Sequence, residues 1–289
     1  MKKFWIRTAS SVIYVALFVG TMLSGKILYN DSAGTIVFLL FLLFAACGCT
    51  FEFYRIARLK SAKPIKWMGY LAVCMIILLF SILILFFRGL RLSEDVYSIL
   101  GMLFIACVLL VLPLSAVIQL WRGSERPFGD IGYTLLPVFY IAIPFASMVF
   151  MQMLNVWLLL LVVVLVWIND ACAYMLGSLF GRHKMWTKHS PGKTWEGTVS
   201  GVIIATVAGT VAVGVWSVFE LSMWQGALLG LTCGVIGTLG DLVESMLKRS
   251  AGLKDSGRAI PGHGGFLDRF DSLLILLPFA TVIIVLFII

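Results

Sequence analysis

The chain has 289 residues, of which 61% are hydrophobic and only 12% are charged. A water-soluble domain has about twice that share of charged residues, so the composition excludes a soluble globular protein and indicates one that lies in a lipid bilayer. The formal net charge is +8, which we attribute to membrane topology and attraction to anionic lipids rather than to nucleic-acid binding. Since no Pro-rich or Ser-rich linker interrupts the chain, we expect a single integral membrane domain over 1–289.

Nine apolar stretches approach the ~20 residues that an α-helix needs to cross the hydrocarbon core. They lie at roughly 9–28, 34–54, 67–87, 96–118, 131–150, 154–177, 197–218, 224–244 and 272–289. The predicted fold class is therefore an all-α polytopic membrane protein with about nine transmembrane helices. N-terminal helices (1–153) would precede catalytic C-terminal helices with their cytoplasmic loops (154–289).

Individual stretches carry further signals. The first follows a basic N-terminus but lacks a small-residue cleavage site, so we expect it to be retained rather than removed as a signal peptide. The fifth contains Pro137 and Pro144, which predict a kink. The seventh and eighth are rich in glycine, which predicts close approach of two helices.

The distribution of basic residues predicts that the N-terminus is cytoplasmic. If the spans alternate from that start, all but three of the 22 Lys and Arg residues fall on the cytoplasmic side. The exceptions are Lys26, Arg88 and Arg91. This is the positive-inside pattern, and it places three polar segments on the cytoplasmic side.

The first polar segment ends the sixth stretch and contains Asp170. An ionisable side chain inside an apolar stretch is costly, so it suggests a functional site. A carboxylate that reaches the membrane surface explains the same residue equally well.

The second polar segment runs from Phe180 to Gly197 and contains Ser190, Lys193 and Thr194. A lysine beside a helix N-terminus suits a phosphate group, because the free backbone N–H groups and the helix dipole both favour an anion. The spacing of a P-loop is missing. Taken alone, this segment favours the plainer reading of a capped helix start with lysines at the membrane surface.

The third polar segment, 240–271, is the most informative. Asp241 and Ser245 are four residues apart and share a helix face, where their oxygens suit Mg²⁺. Asp268 and Asp271 follow a loop that can fold back to the same point. Several cations surround these acids: Lys248, Arg249, Lys254, Arg258, His263 and Arg269. Carboxylates among cations indicate a site for a metal and a polyphosphate.

Glycines in this segment argue against a simple solvated loop. Gly262, Gly264 and Gly265 surround His263 and allow a close backbone approach to a ligand. A solvated basic loop would explain the Lys and Arg residues but neither these glycines nor acids beside the membrane. Glu52 is a further acid near the membrane surface, which we expect to pair with Arg55 one helical turn later rather than to act in catalysis.

The third segment resembles the phosphatidate cytidylyltransferase family. The matching motifs are Ser245-x-x-Lys248-Arg249, Lys254-Asp255, Pro261-Gly262-His263-Gly264-Gly265 and Asp268-Arg269-Phe270-Asp271. The resemblance is specific over 170–289. Ser178, where many members have a basic residue, and Phe266, where they have an aliphatic one, depart from the family pattern.

The resemblance implies the reaction of CTP with phosphatidate to give CDP-diacylglycerol and pyrophosphate. It implies Mg²⁺ with a second cation, K⁺ or Mg²⁺, held by Asp241, Ser245 and Asp268, with Asp170 shaping the metal site. Lys248, Arg249 and Lys254 would meet substrate phosphates, and His263 would contact substrate or handle a proton. The remaining substrate-binding residues would be Ser190, Lys193, Thr194, Asp255, Gly264, Gly265, Arg269 and Asp271.

Two other classes of protein share parts of this pattern. A membrane CTP-dependent lipid kinase would share the apolar plan, but the complete motif from His263 to Asp271 argues against it. A transporter would use Asp170, Asp241 and Glu244 as an ion path, but the charges cluster at one face and no repeat relates the two halves. We therefore expect CTP, phosphatidate and the lipid bilayer as partners, no nucleic acid, a possible homodimer, and a multi-pass location in a bacterial inner membrane.

Overall fold

The computed structural model describes residues 2–87, 93–260, 262 and 264–288. Its helices are α1 (Lys2–Met22), α2 (Ser24–Ile27), α3 (Asp31–Leu59), α4 (Lys66–Phe87), α5 (Glu94–Arg122), α6 (Pro127–Pro137), α7 (Ile143–Phe180), α8 (Trp195–Val215), α9 (Met223–Ser250) and α10 (Leu267–Ile288). A π-helical turn (Val138–Ala142) joins α6 to α7, and a short 3₁₀ turn (Ser217–Phe219) follows α8. Strands β1 (Lys184–Trp186) and β2 (Ser190–Thr194) form the one sheet among the described residues.

The prediction of an all-α polytopic membrane protein is confirmed. Among the described residues, seven helices are long and apolar enough to cross a bilayer. One of them, Pro127–Phe180, has 54 residues and contains both the fifth and the sixth predicted stretch. The first stretch corresponds to a shorter apolar helix, Thr8–Met22. The count of nine is therefore not confirmed.

The long helical run departs from regular helix at two places. Between Pro137 and Pro144, where a kink is predicted, the backbone passes through the π-helical turn. At Asn155 the backbone becomes extended, with φ −156° and ψ 111°, so that two helices meet here at a kink. The Asn155 side chain accepts a hydrogen bond from the backbone N–H of Trp157 (3.0 Å) and so caps the helical segment that follows.

The chain divides into two compact units. The first comprises Met1–Met153 with Asp255–Arg269, and the second comprises Leu154–Lys254 with Phe270–Ile289. In the first unit, Phe18, Phe38 and Leu42 are fully buried between α1 and α3. Asn30 caps α3 by accepting from the N–H of Ala33, and Ser93 caps α5 in the same way.

In the second unit, α8 and α9 pack through glycines. A Cβ on Gly234 would lie 2.9 Å from the Cα of Val202, and one on Gly209 would lie 3.3 Å from the Cα of Gly230. The predicted close approach of the two glycine-rich helices is thus confirmed. The segment predicted as a loop before α8 instead contains the antiparallel β1–β2 hairpin, in which Lys184 lies opposite Thr194 and Trp186 opposite Ser190.

Candidate active site

A pocket of about 560 Å³ opens in the second unit between α7, the hairpin, α8 and α9. Its lining includes residues from all three polar segments, namely Asp170, Ser190, Lys193, Thr194 and Asp241. Residues more than 70 positions apart in the chain therefore meet in one cavity. Ser178 also lines this pocket, so one of the two positions at which the sequence departs from the family pattern belongs to the site.

The hairpin places a lysine beside a carboxylate in this pocket. The Nζ atom of Lys193 lies 2.7 Å from Oδ2 of Asp241, and both side chains are less than one-third exposed. Thr194 caps α8, since its hydroxyl accepts a hydrogen bond from the N–H of Gly197 (3.3 Å). The predicted combination of a lysine and a capped helix N-terminus, which suits an anion, is therefore present.

The hairpin itself is fixed to the first turn of α8. The carboxylate of Glu196 accepts hydrogen bonds from the backbone N–H groups of Arg182 and His183, both at 3.1 Å. Nδ1 of His183 lies 2.6 Å from the same carboxylate. These contacts fix the segment before β1 to the start of α8, and β1 in turn pairs with β2, the strand that carries Lys193.

Three carboxylates converge next to the lysine. One carboxylate oxygen from each of Asp241, Glu244 and Asp271 lies within 4.8 Å of the others, and we call these residues the acidic cluster. Glu244 is fully buried and forms an ion pair with Lys248, four residues later on α9. The hydroxyl of Ser245 donates to Oδ1 of Asp241 (3.3 Å), so the predicted pairing of these two side chains on one helix face is confirmed.

Asp170 adds a fourth carboxylate to this region. It interacts electrostatically with Lys193 and Asp241, and it accepts a hydrogen bond from the Asn169 amide (3.2 Å). Asn169 is itself buried and donates to the hydroxyl of Thr238 (3.2 Å), which fixes the amide. Asp170 therefore belongs to the site rather than only reaching towards the membrane surface.

The charges of this region suit a divalent cation. Among the described residues of the second unit, four carboxylates (Asp170, Asp241, Glu244 and Asp271) face two lysines (Lys193 and Lys248). Like charges at such separations repel strongly where water is scarce. Hard carboxylate and hydroxyl oxygens are the ligands that Mg²⁺ prefers, so the residues present fit the metal that the family resemblance implies.

A glycine allows the acidic cluster to form. Gly240 precedes Asp241 on α9, and a Cβ at this position would lie 2.9 Å from the carbonyl oxygen of Asp271 and 2.8 Å from that of Ser272 on α10. A real side chain does not fit at such distances. The two helices can therefore approach closely enough for Asp241 and Asp271 to share one site only because residue 240 has no side chain.

Glu52 has a different role from the one predicted. It is 3% exposed, and its carboxylate accepts hydrogen bonds from the Ser256 hydroxyl (2.7 Å) and from the backbone N–H groups of Phe266 (3.0 Å) and Leu267 (2.9 Å). Leu267 is the first residue of α10, so Glu52 satisfies N–H groups that the helix start leaves unpaired. The predicted pairing with Arg55 is wrong, because this carboxylate instead holds a loop that is distant in sequence.

Asp268 organises the same loop in the first unit. Its Oδ2 atom accepts hydrogen bonds from the N–H groups of Gly265 (2.7 Å) and Ser256 (3.0 Å). Gly264 has φ +80°, a conformation that favours glycine, and a Cβ on Gly265 would overlap the Glu52 carboxylate. The glycines of this motif thus permit close approach to carboxylates of the chain itself. The role of Asp268 as a metal ligand stays a prediction.

The remaining predicted residues occupy varied positions. Lys248 is buried against Glu244, whereas Arg249 is exposed and donates to the carbonyl groups of His189 and Leu253 (3.4 Å each). Lys254 and Asp255 are exposed, and Arg269 is half-buried, with its carbonyl accepting from the Tyr14 hydroxyl (3.4 Å). Their assignment to substrate binding stays a prediction. His263, expected to contact substrate, lies outside the described residues, as does Pro261 of the same motif.

The sequence analysis gave Glu244 and Glu52 other roles, and only one of them carries a signal for the contacts seen in the structure. Glu244 has a local signal, because it lies three residues after Asp241 and four before Lys248 and so shares their helix face. Glu52 has no such signal, since its partners lie more than 200 residues away in the chain.

The fold and the pocket define a polytopic α-helical membrane protein with an acidic, lysine-containing site. The chain belongs to the cytidylyltransferase family, whose family model matches residues 5–287. It is similar to proteins named phosphatidate cytidylyltransferase from Staphylococcus saprophyticus (37% identical over 158 residues), Staphylococcus haemolyticus (39% over 158) and Staphylococcus aureus strain COL (38% over 160). Each match covers 55% of this chain and 60% of the length of the relative.

Proposed function

We propose that this protein transfers the cytidylyl group of CTP to phosphatidate, giving CDP-diacylglycerol and pyrophosphate. Family membership and the names of the similar proteins support the reaction. In the structure, the observation that carries the proposal is the Lys193–Asp241 pair beside the acidic cluster, in a pocket about 560 Å³ in volume. Such a site suits a polyphosphate substrate that arrives with a divalent cation.

The chemistry needs little activation of the nucleophile. A phosphate oxygen of phosphatidate is already anionic, and it would form a bond to the α-phosphorus of CTP while the bond from that phosphorus to the leaving pyrophosphate breaks. The main obstacle is repulsion between two polyanions, so catalysis would consist of positioning and charge neutralisation.

The residues of the pocket divide this work. The ammonium group of Lys193 would bind phosphate oxygens, and so would the free backbone N–H groups at the start of α8. Mg²⁺ would be held by Asp241, Asp271, Glu244 and Ser245, with Asp170 at the edge of the site. From the family resemblance we also propose Asp268 as a metal ligand and a second cation, K⁺ or Mg²⁺. When bound, the metal would neutralise charge on the phosphate oxygens.

We place the reaction at a cytoplasmic membrane surface. The positive-inside pattern supports a multi-pass protein of a bacterial inner membrane whose pocket faces the cytoplasm, where CTP is found. Phosphatidate would enter sideways from the bilayer so that its head group meets CTP near the interface. The family resemblance supports a homodimer.

A product assay with matched variants tests the proposal. Detergent-purified protein would be given phosphatidate, labelled CTP and Mg²⁺, with Asp241→Asn as the site variant and the exposed Asp31→Asn as the control. We expect CDP-diacylglycerol from the wild type and from Asp31→Asn, and its loss with Asp241→Asn or with EDTA. A phosphorylated lipid alcohol as the product would indicate the kinase instead, and intact CTP under all lipid and cation conditions would refute the assignment.

A further inference from the structure

A second cavity, of about 650 Å³, lies in the first unit and shares no residue with the pocket described above. It is formed by the end of α3, the connection to α4, the start of α4 and the end of α5. Four cations line it: Arg58, Lys63, Lys66 and Arg122. The proposed cytidylyl transfer assigns no role to any of them.

The cations of the cavity lack acidic partners, an arrangement that suits an anion. Among the described residues, none of the four forms a salt bridge. Lys66 and Arg58 are near enough to repel each other. The nearby acid Asp130 is buried and outside the lining, and its two oxygens accept from the Lys63 N–H and the Ser124 hydroxyl, each at 2.6 Å.

The wall of the cavity is fixed by hydrogen bonds. The carbonyl of Lys63 accepts from the Gln119 amide (3.2 Å) and from Arg122 (3.3 Å), and the N–H of Ile65 donates to the Thr134 hydroxyl (2.9 Å). Gln119 and Thr134 are both buried. The connection between α3 and α4 is therefore held in place before any ligand arrives, which reduces the ordering cost of binding.

The surroundings indicate a membrane interface. The cavity lies where three candidate spans, Asp31–Leu59, Lys66–Ile84 and Glu94–Arg122, begin or end. Trp67 in its lining is 62% exposed, and Leu59 and Trp121, beside the lining residues Arg58 and Arg122, are 55% and 86% exposed. Exposed tryptophan next to unpaired cations at span ends is typical of the head-group level of a bilayer.

We propose that this cavity binds the phosphate head group of an anionic phospholipid from the surrounding bilayer. The four cations would contact the phosphate, while Trp67 and Ile118 would pack against the glycerol and the upper acyl chain. Basic pockets between transmembrane helices bind anionic head groups in this way. The site lies outside the pocket that we assign to CTP and phosphatidate, and it takes phosphatidylglycerol in the absence of either substrate.

Two double variants of equal charge test the proposal. Arg58→Gln with Lys66→Gln removes two cations of the cavity, whereas Arg55→Gln with Lys60→Gln removes two exposed cations from the same segment that do not line it. Native mass spectrometry of the full chain would measure the affinity for phosphatidylglycerol, with phosphatidylcholine as the neutral lipid and inorganic phosphate as a competitor. Each cation near a phosphate contributes about fivefold, so we expect roughly thirtyfold weaker binding in the cavity variant. The control variant should change by less than threefold.

Each outcome decides the proposal. Equal losses in the two variants would mean general attraction to a basic surface, and unchanged affinity would mean that the cavity binds no lipid; either result overturns it. Displacement of the lipid by millimolar phosphate would indicate a free-anion site, and binding of phosphatidate without phosphatidylglycerol would indicate a substrate site; these also overturn it. If the double variant fails a thermal unfolding check, Lys66→Gln against Lys60→Gln makes the same comparison.

Discussion

Replacing Gly240 with alanine should separate the two helices that form the acidic cluster. The new Cβ would lie 2.8 Å from the carbonyl oxygen of Ser272 and 2.9 Å from that of Asp271, both of which are backbone atoms that cannot rotate away. Relief of these contacts requires α9 and α10 to move apart by about half an ångström. Because Asp241 and Asp271 lie on opposite sides of this contact, their carboxylates would move apart as well.

The loss of stability in Gly240→Ala is the difference between two opposing contributions. Overpacking of this kind costs about 1–3 kcal/mol, and the better helix propensity of alanine returns about 1 kcal/mol, so the net loss of stability should be at most about 2 kcal/mol. Activity should fall more, because a misplacement near 1 Å can cost about 100-fold in rate and half of that shift should cost about tenfold. The Mg²⁺ concentration for half-maximal activity should also rise.

Gly237→Ala provides the matched control. It lies one turn earlier on α9, and a Cβ there would meet Val166 at 3.7 Å and Ser272 at 3.9 Å, which are ordinary contacts. This variant should keep full activity and gain up to about 1 kcal/mol in stability. Initial rates of CDP-diacylglycerol formation across a Mg²⁺ titration, with thermal unfolding of each variant, check both expectations. Activity of Gly240→Ala within twofold of the wild type, or equal losses in both variants, would refute the reasoning.

Three other substitutions test the remaining parts of the site. Asp271→Asn should reduce the rate of CDP-diacylglycerol formation about 100-fold while the protein still folds, because it removes one charge from the proposed metal site. A rate near that of the wild type would exclude this carboxylate from the site. Lys193→Met should lower kcat/KM by roughly 10- to 100-fold, because the proposed charged hydrogen bond to phosphate is lost. Lys188→Met, outside the pocket, should have little effect on kcat/KM. Similar losses in both variants would contradict a specific phosphate contact. Glu52→Gln should lower the free energy of unfolding by about 1–3 kcal/mol, because the new amide NH₂ would face the hydrogen-bond donors that the carboxylate now accepts from. The exposed Glu125→Gln should leave the melting temperature unchanged. Equal melting temperatures of the two variants would show that the hydrogen bonds of Glu52 contribute nothing to stability.

The sequence by itself determined the class of fold and several local features of the candidate site. Long apolar stretches have to become helices in a bilayer, because no water is available there to satisfy the backbone polar groups, and so the pattern predicted an all-α membrane protein. Local spacing also predicted that Asp241 and Ser245 share a helix face and that a helix begins after Lys193. Each of these predictions depends on residues that are close in the sequence.

The number of transmembrane helices was harder to predict from the sequence than the class of fold. Hydropathy separated 131–150 from 154–177, and the structure does leave helical geometry between them, because two helices meet at a kink at Asn155 within the run Pro127–Phe180. An interruption of this kind depends on the hydrogen bonds of one side chain, namely those of Asn155 with the Trp157 N–H and the Val218 carbonyl. Average apolarity over a window does not detect such a contact.

Only the tertiary structure decided which distant groups meet. The Glu52 carboxylate binds Ser256, 204 residues away, although its nearest basic neighbour in the sequence suggested a local ion pair. The approach of Asp271 to Asp241 depends on the missing side chain of Gly240, and the pairing of Lys193 with Asp241 depends on a hairpin within a segment that had been predicted as a loop. The physical reason is the same in each case: the free energy of these contacts comes from packing and burial between segments, and no local pattern around Glu52, Asp271 or Lys193 indicates which distant segment each will meet.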